Sequence, residues 1–137
     1  MTETTTGDGW AVGSIDGMGE GPGFRKVRGA LGVTAFGVNA IVLPPAYSTR
    51  RHRHERQQEL YLVHRGEVEF TFGEGVDAES HILGPGGLAR VDAPTVRRFR
   101  NVSEADEAIY LCVGGAGGYV GRDGRTVGEE PPRSMST

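Results

Sequence analysis

Alternation of apolar and polar positions over short stretches is the dominant pattern in this chain. From Glu67 to Phe72 it is complete: Glu67, Glu69 and Thr71 alternate with Val68, Phe70 and Phe72, the period of a half-buried strand. Arg65-Gly66 precedes it, and Glu59 to His64 before that reads as the other arm of a hairpin. Thr34 to Leu43 is a further strand, closed by Pro44-Pro45, which cannot donate to a ladder. His81–Leu83, Leu88–Val91, Val96–Arg100 and Ala108–Val113 are expected as short strands, with a loop from Gly73 to Ser80. A helical turn or two is expected around Phe24 to Leu31. Strands this short, with turn residues every 8–12 positions, predict an all-β fold, a small antiparallel barrel or sandwich.

Composition supports many tight turns: 23 glycines and 7 prolines in 137 residues. The length suits one domain, expected over 10–128, with residues 1–9 and 129–137 read as flexible ends. Net charge is −3, which disfavours a nucleic-acid binder. The arginines around residues 50–56, with Arg98 and Arg100, read as solvated outward faces rather than a phosphate-binding stripe. The single cysteine, Cys112, excludes an intrachain disulfide framework and a Cys-rich zinc site, and reads as a buried small hydrophobe. No secretory signal and no apolar run of membrane-spanning length is visible, so a cytoplasmic location is expected. Two glycine-rich stretches, Gly84–Ala89 and Gly114–Gly118, lack the helix that a dinucleotide or phosphate loop must open.

The candidate chemistry is histidine and carboxylate. His52 and His54 are two apart, so on an extended segment both rings leave one face. A hairpin return is expected to bring Glu59 beside them. Two imidazoles and one carboxylate suit a divalent transition metal (Fe, Mn, Zn, Ni or Cu) and leave coordination positions open. His64 faces opposite to Glu59 on its strand and is set aside, as is His81.

These residues resemble the cupin family. The first cupin motif, G-x5-H-x-H-x3–4-E-x6-G, reads here Ala46-x5-His52-x-His54-x4-Glu59-x6-Gly66, with only the leading glycine replaced. The second, G-x5-P-x-G-x2-H-x3-N, reads Gly86-x5-Asp92-x-Pro94-x2-Arg97-x3-Asn101, with the proline, the inner glycine and the metal-binding histidine all changed. The resemblance implies a double-stranded jelly roll, a metal pocket inside it formed by His52, His54 and Glu59, and a homodimer.

Arg97 is the departure that matters. In phase with Phe99 it should point inward, and a guanidinium is never a metal ligand. In the leading reading the metal is bound and Arg97 positions a small anionic organic molecule, with Tyr61 and Phe99 lining the pocket; oxidation or isomerisation of that molecule is the expected chemistry. In the alternative, Arg97 forms a bidentate pair with Glu59 and the protein is a metal-free small-molecule-binding module. A third reading fills the barrel with side chains and leaves an interaction protein.

Overall fold

The structure is a computed structural model and describes residues 4–115 and 124–128. Its elements are β1 (Thr5–Gly7), β2 (Trp10–Val12), β3 (Gly23–Arg25), α1 (Val27–Leu31), β4 (Gly37–Leu43), β5 (His52–His54), β6 (Gln58–Arg65), β7 (Val68–Phe72), β8 (Glu79–Leu83), β9 (Leu88–Val91), β10 (Arg97–Asn101), β11 (Ala108–Gly115) and β12 (Gly124–Thr126). Two five-stranded antiparallel sheets face one another, one in the order β12-β5-β10-β7-β8 and the other β3-β4-β11-β6-β9. The fold is the expected all-β jelly roll.

Strand alternation decides what lies between the sheets. On β7, Val68 and Phe70 are buried while Glu69 and Thr71 face out. On β6 the buried positions are Glu59, Tyr61 and Val63, with Gln58, Leu60 and His64 exposed. The interior core joins these to Ile41, Leu43, Val91, Phe99, Ala108 and Tyr110. Phe99 sits among three aromatic rings, with centroids 4.8 Å from Tyr61, 4.9 Å from Tyr110 and 5.0 Å from Phe70. On β4 the opposite face, Val38, Ala40 and Val42, packs outward with Val27 of α1 and Ile109 of β11 as a second, smaller core.

Three elements differ from the sequence expectation. The stretch read as helix begins instead as β3, because Gly23 to Arg25 pairs with Val42 to Ala40, and only Val27–Leu31 turns helical. Thr34 to Phe36 lies outside β4, which opens at Gly37. Within the segment read as a flexible start, Thr5–Gly7 pairs with Trp10–Val12 around Gly9 at φ +83°. The expected tail, 129–137, lies outside the described residues.

Two motif positions hold the chain in left-handed conformations. Gly66, at φ +77°, turns the β6–β7 hairpin, and a Cβ there would stand 3.0 Å from the Ala108 Cβ. Ala46, in the place of the motif's leading glycine, has φ +60° and is the one non-glycine residue with positive φ among the described residues.

Candidate metal and ligand site

β5 and β6 bring the three candidate ligands together, although not as hairpin partners. β5 pairs with β10 and β12 in one sheet, and β6 pairs with β11 and β9 in the other. Glu59 therefore meets the histidines across the barrel interior. His54 Nε2 lies 3.2 Å from Glu59 Oε1, and one donor atom from each of His52, His54 and Glu59 falls within 4.8 Å of the others.

The electrostatics suit metal ligation. Burial, then the Arg97 cation, lower the pKa of His52 from 6.5 to about 4, so its imidazole is neutral at neutral pH. Burial alone would raise Glu59; hydrogen bonds from His54 and Tyr61 outweigh it and hold the carboxyl near 2. A neutral imidazole and an ionised carboxylate are the forms that bind a metal. The donor set fits a divalent transition ion with three protein ligands and open positions.

Glu59 is held from several sides. The Tyr61 hydroxyl donates to Oε1, and Gln57 Nε2 donates to Oε2 at 3.0 Å. Gln57 was not among the residues singled out by sequence. Its signal was its place two positions before Glu59, which on extended chain puts both side chains on one face, and it is buried against Gly114.

Arg97 is fully buried, as its phase with Phe99 requires. Nη1 donates to the carbonyls of Ala93 (3.2 Å) and Thr95 (2.8 Å), which turns the guanidinium toward the β9–β10 connection. Nη2 stands 3.5 Å from Glu59 Oε1, while Nε and Nη2 make no hydrogen bond. That is one long contact, not the two parallel bonds of a bidentate fork. Arg97 is absent from the cavity wall.

The cavity occupies about 710 Å³ and opens at the end of the barrel where β5, β6, β11 and β12 meet. His52, His54 and Glu59 lie on its wall, with Tyr61, Phe99 and Tyr110 beneath. A volume of this size is that of a small-ligand pocket, set at the mouth of a barrel whose interior is packed by the core. Cys112 also lines it, half-buried; burial and the nearby Glu59 push its pKa up, so it stays a thiol and not a nucleophilic thiolate. His64 and His81 are exposed and away from the site. No helix among the described residues is long and apolar enough to cross a membrane.

The family model described as "Cupin domain" matches residues 40–114. No curated protein matches the chain. Among solved structures, a sugar phosphate isomerase of the cupin superfamily from Silicibacter pomeroyi is 28% identical, with TM-score 0.58, covering 78% of this chain and 59% of its own. An uncharacterised double-stranded β-helix protein from Klebsiella pneumoniae is 18% identical and superposes with TM-score 0.68 over 86% of this chain and 97% of its own. An oxalate oxidase bound to glycolate, 19% identical, covers 60% of this chain and 42% of its own with TM-score 0.54. The last two show likeness of fold. The chain thus spans 59% of the length of the isomerase it resembles.

Proposed function

The chain belongs to the cupin family, and from that premise we propose that it holds a divalent transition metal at His52, His54 and Glu59 and acts there on a small anionic organic molecule. The observation that carries this is the convergence of the three donor atoms on the wall of an open cavity, with His52 neutral and Glu59 ionised. When bound, the ion supplies a Lewis acid that polarises a hydroxyl or carbonyl oxygen of the molecule. The protein's own residues do the rest. Tyr61 and Gln57 orient the Glu59 carboxylate from opposite oxygens. The rings of Tyr61 and Phe99 form the apolar floor against which the carbon skeleton rests. Burial first, and then Arg97 as a fixed positive charge behind the wall, keep His52 unprotonated.

The 28% identity to a sugar phosphate isomerase supports the reading of an anionic, oxygen-rich molecule, with isomerisation or oxidation as its chemistry. The metal-free module is the competing reading, and the single 3.5 Å contact between Arg97 and Glu59 weighs against it, since the carboxylate is not consumed by a bidentate pair. Elemental analysis of protein purified without added metal separates the two. The expected result is close to one transition ion per chain in the wild type and loss of it in His52→Ala. A wild type free of metal that gains it in Arg97→His overturns the proposal in favour of the alternative.

A further inference from the structure

The cavity wall carries a cation that the metal site leaves unused. Arg50 lines the cavity and is half-buried, and its side chain makes no hydrogen bond or ion pair among the described residues. Every other strongly buried or wall-lining arginine has a role: Arg97 is bound to two carbonyls, Arg25 donates to Gly21 O, and Arg125 pairs with Glu55 at 3.1 Å. Glu59 is the one carboxylate among the described lining residues, and Tyr61, Gln57 and His54 already engage it.

Arg50 faces inward in phase with His52 and His54, and backbone register explains why its neighbour Thr49 joins it. Ser48 lies opposite Arg100, and His52 lies opposite Arg97, so four steps along the β5 side match three along β10. The extra residue is a bulge, which re-aims the side chains beside it. As a result Thr49 and Arg50 both line the cavity, and Arg50, His52 and His54 then alternate onto one face. Two residues of extended chain separate the Arg50 and His52 Cα atoms by about 6.6 Å. The guanidinium of a half-buried wall arginine without a protein partner is a site for an oxyanion, because its planar fork matches carboxylate and phosphate oxygens.

We infer that Arg50 is the anion-recognition residue of this cavity, and that the ligand is a short, hydroxylated molecule with a terminal phosphate or carboxylate seated on Arg50 while a polar oxygen a few bonds away lies at His52, His54 and Glu59. This rests on the reading of the cavity as a small-molecule site. It moves the anion contact from Arg97, which does not reach the cavity, to a residue that does.

The test uses the full chain loaded with Zn(II) and three probes on one carbon skeleton: glycerol 3-phosphate, glycerate and glycerol. Calorimetric titration of the wild type is expected to show binding of at least one anion and none of glycerol at the same concentrations, with the better anion identifying the headgroup. Arg50→Gln should weaken that anion about 10- to 100-fold, the range for losing a charge-assisted hydrogen bond, and Arg50→Lys should recover part of it. Zinc stoichiometry should be the same in all three proteins. Equal anion affinity in Arg50→Gln and wild type overturns the inference, as does a wild type that binds neither anion or binds glycerol equally well. A wild type that takes up no zinc but loses anion binding in Arg50→Gln would sink the metal reading and leave the assignment of Arg50 standing.

Discussion

His52 is built to stay neutral, and that has a measurable cost in acid. Its pKa falls from 6.5 to about 4 in the folded chain, through burial first and the Arg97 charge second. The unfolded chain binds a proton at His52 below 6.5, whereas the native state resists until about 4, so native stability must fall with pH across that window and then level off. The full shift corresponds to about 3 kcal/mol, of which about 2 kcal/mol is lost by pH 5. The ring is half-buried, so solvent trims this, and a loss of at least about 1 kcal/mol between pH 8 and pH 5 is expected. Glu59 does not confuse the measurement. Its pKa is depressed from 4.5 to about 2, so its contribution is intact above 4.5 and is lost only as pH falls below that. Urea denaturation of protein held in EDTA, at intervals from pH 8 to pH 5, reads the slope directly. His52→Gln should flatten it, and Arg97→Met should move the His52 titration, followed by NMR, part of the way back toward 6.5. Identical slopes in wild type and His52→Gln, or a His52 ring that titrates near 6.5 in the wild type, would refute the reasoning.

Two further outcomes follow from the same geometry. Ala46→Gly relieves a left-handed φ of +60° that costs an L-residue about 1–2 kcal/mol, less the extra chain entropy of glycine, for a net gain of about 1 kcal/mol; calorimetry should show Tm rising by about 3–4 °C at this chain length, and an unchanged or lower Tm would count against strain at this turn. Tyr61→Phe removes the hydroxyl that fixes Glu59 Oε1 while keeping the ring in the core; metal affinity by competition with a chromophoric chelator should drop about 10-fold, the size of one lost hydrogen bond to a charged group, with circular dichroism unchanged.

The sequence by itself determined the parts of this protein that depend on period and spacing. Period-2 alternation assigned Val68, Phe70 and Phe99 to the interior, and it put His52 with His54, and Arg97 with Phe99, on inward faces, because successive side chains on a strand must take opposite sides. Motif spacing located the metal candidates for a similar reason: the turn at Gly66 and the strands around it leave few registers that bury Glu59, Tyr61 and Val63 together. What only the tertiary structure decided is how groups meet when no local ladder joins them. Glu59 reaches His54 across two sheets, Gln57 turns inward to hold it, and β3 forms at Phe24 because Ile41 offers an open edge, a long-range pairing that overrides local helical preference. The Arg97 guanidinium is the plainest case. Phase alone said it points inward; the carbonyls of Ala93 and Thr95 decided that it points away from the cavity. Arg50 shares the phase of His52 and His54, and the bulge before His52 adds Thr49 to the same cavity wall.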